Sequence, residues 1–244
     1  MQIAVVLCPL VGALIAGFFG SRIGNRGAQF VTCMGVGISS ICAILLFFEL
    51  VNSGTPVRSL LFQWFSVGSV NVSWALRFDS LSAAMAMTVT SVSTLIHIYS
   101  IGYMSHDSSQ PRFMAYLSLF TFAMLMLVTA DNLIQLFFGW EGVGVVSYLL
   151  IGFWFHKDSA NRAAIKAFVV NRVGDFFFLL GICLIYLVFG SVNFDEIFKS
   201  VAIHIEDEVT VFGIKGHALT IISFLLFFGA MGKSAQLFLH TWLP

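Results

Sequence analysis

The sequence predicts an all-α polytopic membrane protein with about seven transmembrane helices. Three observations carry this. Of 244 residues, 59% are hydrophobic and only 10% charged, against about 25% charged in a typical soluble domain. The mean hydropathy is +0.95, and a globule of this size cannot hide so much apolar surface behind so few charges. The apolar residues gather in runs of about 20, the length that crosses a bilayer as a helix. The same abundance of apolar side chains excludes disorder. With 12 Lys+Arg balancing 12 Asp+Glu and no basic run, nucleic acid is excluded as a partner. The lipid bilayer is the surrounding the composition demands.

The spans read, in order, 2–21, 28–51, 80–104, 113–130, 132–155, 164–190 and 217–240. Met1-Gln2-Ile3 lacks the positive start of a cleaved signal peptide, so the first run is expected to stay as a helix. Between the second and third spans, Leu61–Val67 and Val70–Leu76 flank Gly68-Ser69, which predicts a short β-hairpin. After the sixth span, Phe194, Ile197, Phe198, Val201 and Ile205 share one helical face. Asn193 and Glu196 fit a capping box at its start. That helix is expected to lie on the membrane surface. Cys8, Cys33, Cys42 and Cys183 each sit alone in an apolar run. Without C-x-x-C spacing they read as small buried hydrophobes rather than zinc or iron–sulfur ligands.

Orientation follows the Lys/Arg bias of the connections. Arg22, Arg26, Arg112, Lys157, Arg162 and Lys166 lie in or beside connections one, three and five; Arg58, Arg77, Lys199 and Lys215 lie in two and six. The odd connections are therefore expected in the cytoplasm or matrix, with the N-terminus on the opposite side.

Function is sought in the charges that remain inside apolar spans, because a charge at the bilayer centre costs about 2.5–3.5 kcal/mol and survives only toward a bundle interior or polar cavity. Glu141, within Phe137-Phe138-Gly139-Trp140-Glu141-Gly142-Val143-Gly144, is the tenth residue of its span, about 14 Å deep at 1.5 Å per residue. It is either a functional carboxylate or a carboxyl group tying two helices together. Lys233, within Gly229-Ala230-Met231-Gly232-Lys233-Ser234-Ala235-Gln236, is either a proton-exchanging amine or a lysine reaching for an interface. Its glycine and polar neighbours would tolerate a broken helix. Gly232-Lys233-Ser234 is not a phosphate loop, since Phe227 occupies the position of the first glycine. Arg172 and Asp175, three apart, share a helix face. They are either a local ion pair or part of a network with Glu141 and Lys233. His97 reads as a polar helix contact rather than a proton relay.

At these residues the chain resembles a known family. Phe138-Gly139-Trp140-Glu141-Gly142-Val143-Gly144 with Ser147-Tyr148-Leu149-Leu150-Ile151-Gly152-Phe153, Asn171-Arg172-Val173-Gly174-Asp175, and Gly232-Lys233-Ser234-Ala235-Gln236 with Trp242-Leu243-Pro244 resemble the chain L (mitochondrial chain 5) family of proton-pumping NADH:quinone oxidoreductase, respiratory complex I. That family is related to Mrp-type cation/proton antiporter subunits. The resemblance implies the first part of an antiporter-like inverted-repeat fold: a three-helix segment with an extracytoplasmic hairpin over 1–104, then an incomplete first repeat over 113–244, as in an N-terminal fragment. It implies an interrupted seventh helix and a proton-handling pair at Glu141 and Lys233, with Asp175 and Arg172 beside them.

The resemblance also implies a membrane-arm subunit contributing a proton-translocating half-channel, coupled to NADH oxidation and quinone reduction. Its partners would be other membrane-arm subunits. No cofactor is expected in this chain; NAD, FMN, iron–sulfur clusters and quinone would belong to partner subunits. The location implied is the bacterial inner (plasma) membrane, or alternatively the mitochondrial inner membrane. An Mrp-type antiporter subunit is the alternative function. The mechanism the resemblance implies pairs Glu141 directly with Lys233. At an effective dielectric near 20, a contact at about 4 Å is worth about 4 kcal/mol and one at about 8 Å about 2 kcal/mol, so separating the pair would loosen the proton on Lys233.

Overall fold

The computed structural model describes residues 1–68, 70–211 and 213–243, and at Ile214 the backbone alone. Ser69 in the predicted hairpin turn and Pro244 in the last motif lie outside the described residues. In chain order the elements are α1 (Gln2–Ser53), β1 (Val57–Val67), β2 (Val70–Phe78), α2 (Ser80–Tyr103), α3 (Gln110–Val128), α4 (Leu133–Ile151), α5 (Asp158–Phe189), α6 (Phe194–Ser200), a 3-10 turn (Val201–Ile203), β3 (Glu208–Val211), β4 (Ile214–His217) and α7 (Ala218–Lys233).

α1 has 52 residues, about 78 Å if straight, more than twice the apolar thickness of a bilayer. It folds back at Gly24, whose φ of 67° and ψ of −178° are open to glycine and closed to most side chains. The sequence expects a connection at 22–27; the structure keeps those residues helical on both sides of that single break. The two limbs pack antiparallel. The Ser39 hydroxyl donates to the Val5 carbonyl, and a Cβ on Gly35 would lie 2.8 Å from the Cys8 carbonyl oxygen. Five helices, α1 to α5, are long and apolar enough to cross a membrane, and α7 is a shorter apolar helix. Counting α1 as two limbs, six of the seven expected spans are present at that length among the described residues, and the seventh is represented by the shorter α7. The protein is a multi-pass membrane protein.

The two largest packings are α1 on α3 and α5 on α7. α3 also lies against α4, joining the early helices to the later ones. The cysteines depart from expectation. Cys183 is exposed, and Cys8, Cys33 and Cys42 are half-buried, with Cys42 packed at the edge of the core between the α1 limbs.

The even-numbered connections meet at one end of the bundle. β1 and β2 pair antiparallel from Val57↔Phe78 to Val67↔Val70, a longer hairpin than expected, and Gly68 takes a φ of 59° at its turn. The hairpin docks on the α3–α4 junction. The Arg77 N–H donates to the Thr129 carbonyl at 2.9 Å, and Asn132 Nδ2 to the Ser73 carbonyl at 2.8 Å. Arg58 grips Asp131 through Nε at 2.9 Å and Nη2 at 2.6 Å. The N-terminus is at this end too, where Ser59 bonds Gln2.

Two local expectations are corrected here. The Asn193–Glu196 capping box does not form: Glu196 bonds the Ser191 hydroxyl, which also accepts the Asn193 N–H at 3.1 Å. Ser191 thus takes both groups that the box would have joined. The surface helix is short, one 7-residue α-helix followed by the 3-10 turn. A second hairpin, β3–β4, which the sequence reading did not anticipate, fills the rest of the connection.

Candidate functional site

Three helices place the intramembrane charges. α4 starts where the Asn132 side chain accepts the Gln135 N–H at 2.9 Å, which satisfies a free amide of its first turn. It carries Trp140 and Glu141 on adjacent faces. α5 carries Arg172 and Asp175 one turn apart. α7 brings Lys233 at its last residue.

α5 and α7 approach backbone to backbone. A Cβ on Gly174 would lie 3.1 Å from the Gly229 carbonyl oxygen and 3.2 Å from the Gly232 Cα. Small residues permit such contact between membrane helices, and it draws Lys233 toward Asp175. α7 stops at Lys233, seven residues before the end of the predicted span at 240. The chain then turns through Ala235 (φ 49°) and Phe238 (φ 72°). The carbonyl groups freed by this break are taken up. Trp242 Nε1 donates to the Gly232 carbonyl at 3.0 Å, and the Gln236 N–H to the Met231 carbonyl at 3.1 Å. The interrupted helix is thus capped by its own downstream segment.

The four charges form two pairs, and not the pair the sequence reading expected. Arg172 Nη1 lies 2.5 Å from Glu141 Oε2, and Lys233 Nζ lies 3.5 Å from Asp175 Oδ1. The direct Glu141–Lys233 contact is not made, because the Glu141 carboxylate turns to the guanidinium on α5. Side-chain exposure is graded: 5% for Asp175, 18% for Lys233, 21% for Glu141 and 47% for Arg172. Arg172 also lies over the Phe168 ring at 4.8 Å and borders an open apolar groove of about 380 Å³ with Val169, Val173 and Phe176. The local reading of Arg172 and Asp175 as each other's partners therefore gives way to a four-residue set spanning three helices.

Two polar atoms of this set are buried without a hydrogen-bond partner in the structure: Glu141 Oε1 and Lys233 Nζ, and Asn171 Oδ1 nearby is a third. Such atoms are costly, and here they cluster around ionisable groups in the middle of the bundle. Lys233 lies against α4 at Gly144, where a Cβ would come within 2.7 Å of Nζ. Chemically, the set offers two carboxylates and one amine that can gain or lose a proton, and a guanidinium that holds its charge.

The sequence reading missed one contributor to the site and one buried acid outside it. Trp140, named only as part of a motif, donates its indole N–H to Asp175 at 2.6 Å. Asp131, 4% exposed and paired with Arg58, lies in the fourth connection, outside the apolar spans; it clamps the hairpin and is not part of the charged set. His97 is fully buried, with Nδ1 2.8 Å from the Ser93 carbonyl oxygen and Nε2 without a partner, and lies in α2, outside the charged set.

Comparisons with known proteins agree with this architecture. Residues 130–244 match the family described as NADH:quinone oxidoreductase/Mrp antiporter, TM, and residues 64–114 match NADH-Ubiquinone oxidoreductase (complex I), chain 5 N-terminus. The whole chain is 52% identical to NADH-ubiquinone oxidoreductase chain 5 of Chondrus crispus, covering 37% of that protein. It is 50% identical to NADH-quinone oxidoreductase subunit L of Rhodobacter capsulatus, covering 35%. It thus spans a little over a third of the length of these relatives. In fold it matches a chain of the Mrp complex from Dietzia sp., with a TM-score of 0.78 and 23% identity over 99% of this chain and 24% of that one. The chain belongs to the NADH:quinone oxidoreductase/Mrp antiporter family.

Proposed function

We propose that the chain supplies part of a proton-translocating half-channel in the membrane arm of an NADH:quinone oxidoreductase. The observation that carries this is the pairing of four intramembrane charges across three helices, Arg172 with Glu141 and Lys233 with Asp175. In this reading Lys233 is the proton carrier, Asp175 its counter-charge, and Glu141 with Arg172 the switch beside it. If Arg172 releases Glu141, the freed carboxylate can turn toward Lys233. If Asp175 withdraws, the attraction holding the ammonium falls and its proton can be passed on. At an effective dielectric near 20, opening an ion pair from about 4 to about 8 Å changes its energy by about 2 kcal/mol, more than a tenfold change in proton affinity.

Within this reading residues 1–104 are a supporting segment and 113–244 the first part of a repeat. The partners are other membrane-arm subunits. NAD, FMN, iron–sulfur clusters and quinone belong to partner chains, and the membrane is the bacterial or mitochondrial inner membrane. The test is Glu141→Gln and Lys233→Ala in the assembled complex, with proton uptake by reconstituted vesicles measured against NADH oxidised. Reduced protons per electron are expected, and unchanged stoichiometry in both variants would sink the idea. An Mrp-type cation/proton antiporter subunit is a second reading, favoured by the likeness of fold to the Dietzia chain. Cation-dependent transport without redox subunits would identify it.

A further inference from the structure

A third group makes the shorter contact in the Lys233–Asp175 pair. Asp175 Oδ1 is approached by two donors, the Trp140 indole N–H at 2.6 Å and the Lys233 ammonium at 3.5 Å. The neutral donor has the short contact. The cation stands beyond ordinary hydrogen-bond distance, and Lys233 Nζ has no hydrogen-bond partner. Two charges left to themselves would close to about 2.7–2.9 Å.

Trp140 is held against α5 by two contacts. Its ring stacks on Phe178 with centroids 4.5 Å apart and planes 11° apart. Phe178 follows Asp175 by three residues on α5, so the stacking and the hydrogen bond fasten one ring to two successive turns of one helix. The same ring lies 5.7 Å from Lys233 Nζ, within the range of a cation–π attraction that replaces part of the ammonium's lost hydration. Trp140 thus draws the carboxylate toward α4 by its edge and gives the cation a second partner at its face.

We propose that Trp140 is a positioning residue for Lys233, its indole N–H holding the Asp175 carboxylate away from the ammonium and so setting how readily Lys233 gives up its proton. This rests on the reading of Lys233 as the proton carrier. Because Trp140 immediately precedes Glu141, any rotation of α4 that changes the Glu141–Arg172 contact also pulls on Asp175. One side chain therefore connects the two ion pairs. The charged groups around Lys233 are Asp175 and Arg172 from α5 and Glu141 from α4.

The test is Trp140→Phe in the assembled complex, which keeps a smaller aromatic ring against Phe178 and removes the N–H donor. Proton pumping is followed against pH in reconstituted vesicles. The expected result is at least a threefold loss of pumping at neutral pH and a peak displaced upward by about one pH unit, as Asp175 closes on Lys233 and holds its proton more tightly. A pumping profile identical to the parent in height and position would overturn the proposal. If Trp140→Phe does not assemble, Phe178→Leu loosens the indole instead; the same upward displacement is required, and an undisplaced peak overturns the proposal. Glu141→Gln and Lys233→Ala run in parallel. Normal pumping in those two would defeat the reading of the charged site itself, independently of Trp140.

Discussion

Lys233 occupies a notch that Gly144 leaves in α4: a Cβ at position 144 would sit 2.7 Å from the Lys233 ammonium. The glycine is thus a spatial requirement of the lysine on another helix. Gly144→Ala should fold, since the clashing atom is the far end of a flexible side chain, but should displace the ammonium and change its distance from Asp175. Pumping is expected to fall several-fold with assembly unchanged, measured as protons per electron beside native-gel abundance of the complex. Normal pumping in Gly144→Ala would show that the position of Nζ is not critical.

Arg172 and Glu141 should behave as one unit. Arg172→Ala leaves the half-buried Glu141 carboxylate without its cation, and Glu141→Gln removes the charge that Arg172 serves. Each single change should lower pumping. The double variant should be no worse than the more severe single one, the signature of two groups acting through one contact. Multiplicative losses would mean independent roles.

The hairpin clamp predicts an asymmetry in stability. Asp131 is 4% exposed and Arg58 is 51% exposed. Arg58→Ala strands a buried carboxylate, whereas Asp131→Ala strands a guanidinium that water can reach. With the discount that a half-exposed partner requires, Arg58→Ala is expected to cost about 2 kcal/mol and Asp131→Ala about 1 kcal/mol. Thermal unfolding of the purified complex in detergent, or release of the subunit from it, measures the order of the two.

Asp79 caps α2 from outside the membrane and gives a pH dependence of known sign. Burial would raise its carboxyl group, but the Ser82 N–H and hydroxyl and the Arg77 guanidinium override this and hold it below its ordinary 3.8. A carboxylate lowered on folding contributes stability that is present above about pH 4 and is lost as pH falls through the folded value. Asp79→Ala should therefore cost about 1 kcal/mol at pH 7, and the difference from the parent should be smaller at pH 3. Asp79→Asn, itself a good cap, should retain most of the stability at pH 7. Thermal scans of the three at both pH values decide it.

Much of this was legible in the sequence because it is local. Apolar runs of about 20 residues declare membrane helices whatever their neighbours, and a charge inside such a run is conspicuous by its cost alone. Gly68 between two aromatic-rich strands marks the hairpin. The glycines and polar residues around Lys233 mark where α7 breaks. Glu141, Arg172, Asp175 and Lys233 could all be named in this way, and the motifs around them carried the family.

The tertiary structure decided which charges meet. Arg172 and Asp175 share one face of α5, yet each finds its partner on another helix. That choice depends on the rotation of α4 and on the close approach of α5 to α7 at Gly174, Gly229 and Gly232, which helical periodicity does not encode. The same holds for the Trp140 indole, whose sequence neighbours give no sign that its N–H reaches Asp175, and for Asp131, whose partner Arg58 comes from the hairpin. The sequence by itself determined that this is a membrane protein with four charges it must shelter. The packing of helices determined that they are sheltered as two pairs, because an ion pair is set by distances between helices and not by spacing along one.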